Sequence, residues 1–249
     1  MLLGHLQEII MRKKIFTLLL LVFTTSLFGF SGVTGKAELD ANTKYVYRGV
    51  VHSDNLVLQP KGYLSFYGFR AKLFNNITVL PDNGKKILDA THFTLRYDIK
   101  ALGFNLTPGI KYYKDWNNDI NTAEISMGIS YTLEGHVGLY STHYLDMVKD
   151  FGKYYGNVGM AFKMDNVIPS IGIEGYMDIN WQKPYFNDDS KFIFPYSLNI
   201  AAAAKFKPLS YVYVKGHANM SILLTEEAKH LNSDKTNIIY LGVTGGIEF

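Results

Sequence analysis

The chain of 249 residues contains no cysteine, so disulfides, thiolate nucleophiles and sulfur-ligated metal centres are excluded. Proline is scarce at 7, against 18 tyrosines and 16 phenylalanines. That balance favours pleated sheet, where aromatic side chains pack well and proline interrupts the ladder. An excess of one charge is also lacking. The formal charge is +3, and the first thirty residues, with Arg12, Lys13, Lys14 and Glu8, account for +2 of it. A basic face for nucleic acid is therefore not expected. The 7 histidines form no spaced metal cluster, and no cofactor is indicated. After Ser31 no stretch carries a persuasive helical repeat.

A long apolar run is missing too. Ile15 to Phe23 is apolar but too short to span a bilayer comfortably as a helix. It follows the basic residues Arg12, Lys13 and Lys14 and precedes the small residues Ser26, Gly29 and Ser31. This is the pattern of a secretory signal segment, so residues 1–30 read as signal and 31–249 as the mature domain. Met11 is a second candidate start.

What the chain does have is alternation. From Val33, the residues Gly35, Ala37, Leu39, Ala41, Thr43, Tyr45 and Tyr47 fall on one side. Lys36, Glu38, Asp40, Lys44 and Arg48 fall on the other, and only Val46 breaks the pattern. A period of two places successive side chains on opposite faces, and five charges on one face exclude a dry core there. The same reading predicts twelve strands, at about 33–50, 58–66, 69–76, 87–100, 104–114, 121–133, 135–146, 153–164, 169–180, 193–207, 210–222 and 236–249. Tight and long gaps alternate between them. That rhythm predicts a closed transmembrane antiparallel β-barrel with both termini on the periplasmic side. A soluble sandwich could supply as many strands, but it has no reason for the rhythm.

The last strand ends on an aromatic residue, with Ile239, Leu241, Val243, Ile247 and Phe249 on one face. Tyr240, Leu241, Val243, Ile247 and Phe249 resemble the terminal signal of Gram-negative outer-membrane proteins. That resemblance implies outer-membrane lipid and the barrel assembly machinery as partners. Residues 33–69 resemble the opening of small porin-like proteins of the TorF type, a family without a secure biochemical function. Tyr45, Arg48, Gly49, Gln59 and Pro60 carry that resemblance, while Val50, Val51 and His52 depart from the usual pattern. The resemblance implies fold and location more than activity.

By parity the inward bases include Arg48, Arg70, Lys72, Arg96, Lys111 and Lys215, and the inward acids include Glu124, Glu174 and Asp178. Bases outnumber acids, so a water-filled lumen would pass small solutes or ions with a slight preference for anions. If the charges only pair, the barrel is closed and structural. The gaps offer little loop material for a plug. Arg48-Gly49 reads as a turn whose arginine enters the lumen or braces a loop through a bidentate pair. Tyr112, Tyr113 and Trp116 read as girdle at the external mouth or as a stacking platform. Ser141, His143 and Asp146 raise the third reading, a lipid hydrolase, but Ser141 and His143 fall on the lipid side, and a non-enzyme is expected. Asp82-Asn83-Gly84 and Asn187-Asp188-Asp189-Ser190 have calcium-loop composition, which solvated turns share.

Overall fold

The computed structural model describes residues 32–81, 84–133, 136–168, 170–182 and 194–249. The signal segment and the two calcium-like stretches, apart from Gly84, lie outside them. The elements are β1 (Val33–Asn42), β2 (Tyr45–Tyr47), β3 (Val50–Ser53), β4 (Val57–Phe66), β5 (Phe69–Thr78), β6 (Leu88–Tyr97), β7 (Ile99–Ala101) and β8 (Phe104–Asp115). They continue as β9 (Ile120–Leu133), β10 (Val137–Asp146), β11 (Tyr154–Ile168), β12 (Ile171–Gln182), β13 (Phe194–Leu209), β14 (Val212–Leu223), α1 (Glu226–Leu231) and β15 (Asn237–Glu248).

All of the strands except β2 and β3 form one antiparallel wall, with β7 continuing β6. The wall is a closed barrel of 12 strands, as the alternation predicts. Closure is made where β1 pairs with β15, Lys36 opposite Glu248 and Asn42 opposite Gly242. Closing the sheet pairs every edge, which a wall in lipid requires because no water is there to satisfy free N–H and C=O groups.

The start of β1, Phe249 and the tight turns Tyr67-Gly68 and Leu102-Gly103 share one end of the barrel, here the terminal end; the longer connections share the other, the loop end. Tyr67-Gly68 and Leu102-Gly103 turn the chain with both residues at positive φ, 45° and 85° in the first and 51° and 81° in the second. Such two-residue turns match the twist of the flanking strands, and glycine enters that backbone region without a Cβ clash.

The faces separate as expected. On β9, Ile125, Met127, Ile129, Tyr131 and Leu133 are exposed on the outside. Their register partners place Glu124, Ser126 and Gly128 on the inside, beside Lys111, Gly109 and Thr107 of β8. An apolar surface of this extent suits lipid rather than water. Aromatic residues collect at the terminal end, with ring contacts Phe66–Phe69 at 5.5 Å, Phe69–Tyr97 at 4.7 Å and Phe104–Tyr131 at 5.2 Å. Phe249 joins this belt. Its backbone exchanges two hydrogen bonds with Gly35, at 2.8 and 2.9 Å, and its ring lies over Gly35, where a side chain would collide.

Two expectations are corrected. The first strand does not run to residue 50. It ends at Asn42, and β2 and β3 form a separate hairpin off the wall. The last long gap contains a helix, α1, whose N-cap Thr225 accepts a hydrogen bond from the Ala228 N–H at 3.1 Å. Such a cap contributes about 1 kcal/mol. With only 6 residues, α1 has no repeat for sequence reading to detect.

Candidate functional site

The hairpin folds into the bore. Arg48 and Gly49 form its turn, with φ of 53° and 75°, and Tyr47 pairs with Val50 across it. One face is aromatic. Tyr45 packs with Val57, Phe74, Ala90 and Tyr113, and its hydroxyl lies 3.2 Å from His92 Nε2. Tyr47 stacks on Tyr113 at 5.6 Å and 9° between planes, an arrangement that contributes about 0.5–1.5 kcal/mol beyond burial. The other face is aliphatic. Val46, Val50 and Val51 pack against Tyr196, Leu223, Ala228 and Ile238. The hairpin thus bridges the β5–β8 wall and the β13–β15 wall. Little loop material for a plug is expected from the gaps, yet nine residues, 45–53, enter the bore, because both faces of the hairpin are buried against opposite walls.

The turn is tied on both sides. The Arg48 guanidinium donates to both carboxylate oxygens of Glu124, at 2.6 and 2.7 Å, with side chains 6% and 3% exposed. It also lies over the rings of Tyr155 at 4.2 Å, Tyr144 at 5.0 Å and Tyr47 at 5.1 Å. Removing one partner of such a buried pair costs about 3–5 kcal/mol, because the other charge stays behind. On the opposite side Asn232, which ends α1, donates to Gly49 O and accepts from the Val51 N–H, both at 2.9 Å.

Tyr47 and Arg48 line a cavity on the loop side, about 250 Å³, where His52, Asp115 and Asp146 also lie. Tyr45 and Tyr47 line a second of about 450 Å³ on the terminal side, with Arg70, Lys72, Arg96, Lys111, Tyr63 and Tyr144. Tyr63 and Ser65 are shared with a mouth of about 570 Å³ beside Lys36 and Glu248 at the terminal end. The basic cavity therefore adjoins that mouth, with Tyr63 and Ser65 between them.

Its cations are unevenly paired. Arg70 meets Asp98 at 2.5 Å. Lys72, Arg96 and Lys111 form no ion pair among the described residues. Lys111 donates to the Tyr47 hydroxyl at 2.5 Å, Arg96 donates to the Tyr144 hydroxyl at 2.6 Å, and Lys72 lies over the Tyr63 ring at 5.2 Å. Arg96 Nε is buried without a partner. Across the bore the lysines are matched: Lys215 with Glu174 at 2.9 Å, Lys205 with Glu248 at 3.6 Å, Lys207 with Glu248, and Lys61 with Asp40. Asp178 accepts from Tyr140 at 2.9 Å and Asn199 at 2.7 Å.

Parity thus puts Arg70, Lys72, Arg96 and Lys111 together in one cavity and leaves Lys215, Glu174 and Asp178 on the far wall. Arg48 is on the hairpin rather than the wall, and it takes Glu124 as its bidentate partner. The pleat divides the aromatic trio. Tyr113 is buried inward, Tyr112 is exposed outward, and the Trp116 indole N–H donates to Thr91 at 3.0 Å. In the last strand Leu241, Val243 and Phe249 are exposed outward, whereas Tyr240 faces in against the Ile238 cluster. Sequence reading missed Tyr47, Tyr144, Tyr155 and Asn232. Val46 was the signal for the hairpin: it broke the alternation because its own face is buried against a second wall.

Ser141 and His143 meet on the outer face, Oγ to Nε2 at 2.9 Å, with the Tyr154 hydroxyl on Nδ1. Ser141 donates its proton to Asn157 O at 2.8 Å. Asp146 is on the inner face, accepting from Thr122 at 2.7 Å. The pleat therefore separates the carboxylate from the pair, and no Ser-His-Asp arrangement forms.

No protein-family model and no curated protein matches the chain. Solved structures do. The chain is similar to the NanC porin, with TM-score 0.55 and 9% identity over 86% of this chain and 98% of that one. It is similar to the KdgM porin, with TM-score 0.52 and 7% identity over 87% and 98%. It is also similar to KdgM in complex with disordered oligogalacturonate, with TM-score 0.54 and 9% identity over 87% and 99%. At these identities the likeness concerns the fold: this chain has the closed barrel of the outer-membrane porins.

Proposed function

We propose that this protein is a small-solute channel of the bacterial outer membrane with a preference for anions, of the TorF type. The observation that carries the reading is the group Lys72, Arg96 and Lys111, cations without ion pairs among the described residues, around a cavity that adjoins the terminal mouth. Fixed positive charge in a low-dielectric wall raises the local concentration of anions. Tyrosine rings beside it suit a solute with a flat or apolar face. Acidic sugars are the first solutes to try, because a barrel of the same fold was found with oligogalacturonate. The outer apolar surface is the lipid contact, and the terminal strand ending at Phe249 is the segment the assembly machinery reads. The role is transport, and Ser141, His143 and Asp146 are not arranged for hydrolysis.

The competing reading is a closed structural barrel. It draws on the hairpin, which crosses the bore between the loop-side and terminal-side cavities. Purified barrel in a planar bilayer distinguishes the two. The channel reading expects discrete current steps, reduced by oligogalacturonate. Repeated insertion of folded barrel without steps would establish the closed one. Deleting Phe249 should separately lower the yield of folded barrel in the outer membrane.

A further inference from the structure

Among the described residues, Glu124 is the one carboxylate ion-paired within the group of cations around Tyr144. The ring has Arg48 at 5.0 Å, Lys111 at 5.7 Å and Arg96 at 6.0 Å from its centroid. Both oxygens of Glu124 are given to Arg48. Yet Lys111 is its direct cross-strand neighbour, on β8 opposite Glu124 of β9. Directly opposed side chains of a sheet are about 4.5–5.5 Å apart at Cβ, close enough for a lysine and a glutamate to pair. In this structure Lys111 instead donates to Tyr47 of the hairpin.

We infer that Glu124 is an internal stand-in for the permeating anion, which displaces it from Arg48 and so unpins the hairpin. This rests on the anion-channel reading. The charges balance at each stage. At rest Arg48 is neutralised by Glu124. When an anion reaches the cavity from the terminal mouth, Arg48 and Arg96 take it, and Glu124 turns to Lys111. No carboxylate is left without a cation, so the exchange avoids the penalty of a lone buried charge. Lys111 releases Tyr47 as it turns, and the hairpin loses two polar ties on the β8–β9 side together. Asn232 keeps the tip on the other side. The element is thus two-state, with each state carrying its own set of ion pairs. Glu124 then sets specificity: among anions, one that competes with a carboxylate for a guanidinium widens the path most.

The test uses sodium sulfate as the probe against chloride at constant ionic strength, on folded barrel in detergent. The readout is the saturable rise in melting temperature that accompanies binding to the folded state. Glu124→Gln should bind sulfate about tenfold more tightly than the native chain, since no internal competitor remains. Glu124→Asp, whose carboxylate reaches less far, should show a smaller gain and covers the case in which the glutamine variant fails to fold. Lys111→Met should weaken sulfate binding, because displaced Glu124 finds no partner. Equal or weaker binding by both Glu124 variants would overturn the inference, as would unchanged binding by Lys111→Met. The readout needs no current: a barrel that shows the pattern without conducting would retain the exchange and lose the channel.

Discussion

On the far side of the bore Lys205, Lys207 and Lys215 each meet a carboxylate, whereas on the β5–β8 side Lys72, Arg96 and Lys111 meet tyrosines. Both sets are bases, and both have inward parity. Their electrical effect differs. A lysine beside a glutamate is nearly silent at the distance of a passing ion, while a lysine against a phenol leaves its charge to the lumen. The hairpin repeats the contrast. It is tied to the basic side by an ion pair, Arg48 with Glu124, and to the other side by a neutral amide, Asn232, and by aliphatic packing. Counting inward charges gives a slight positive excess for the whole bore; the structure places that excess on one wall.

The largest effect should follow from removing the element that joins the walls. Replacing residues 45–53 with a short glycine-serine link should raise single-channel conductance several-fold with the barrel still closed, since the wall does not use these residues. Conductance at the native level would show that the hairpin does not set the bore.

Cutting the ties one at a time should rank the two sides. Arg48→Ala should lower barrel stability by about 3–5 kcal/mol, because Glu124 stays buried without its partner. Asn232→Ala should cost about 1–3 kcal/mol, the loss of neutral hydrogen bonds to Gly49 and Val51. Denaturant titration in detergent, following the heat-resistant band on a gel, measures both. A larger loss for Asn232→Ala would invert the comparison.

The smallest effect concerns the loop end. Asp54, where the chain returns from the hairpin, pairs with Lys44 and with Lys235, the latter at 2.9 Å. These lysines hold its carboxyl below the usual carboxylate range. A lowered folded pKa stabilises above the unfolded pKa, and the contribution is lost as acid protonates the folded group. Proteolysis of the α1 loop should therefore quicken below about pH 4, the ordinary range of an aspartate. Asp54→Asn should show the fast rate at neutral pH. A native rate flat through that range would remove the tie from the account.

Much of the wall was legible in the sequence. Alternation gave the strand count, the faces and the outward set Leu241, Val243 and Phe249, because lipid outside and water inside impose a strict period of two. The hairpin was not legible as such. Tyr45 and Tyr47 continue the alternation of β1, so parity carried the first strand past Asn42, and only Val46 dissented. Pairing was hidden for another reason. Arg48 finds Glu124 76 residues away, and Lys215 reaches Glu174 across β13, where Ala203 stands opposite Glu174 and leaves room. Such partners depend on register and side-chain size across several strands. Parity says which face a charge takes, not what it meets there.

The most direct measurement is the reversal potential of single channels in a salt gradient, compared between two double variants. Lys72→Gln with Arg96→Gln removes two charges that have no ion pair among the described residues. Lys215→Gln with Glu174→Gln removes a matched pair. The account predicts an anion-favouring potential in the native chain, a clear shift toward cations in the first variant and almost none in the second. Equal shifts in both variants, or a native potential that favours cations, would contradict it.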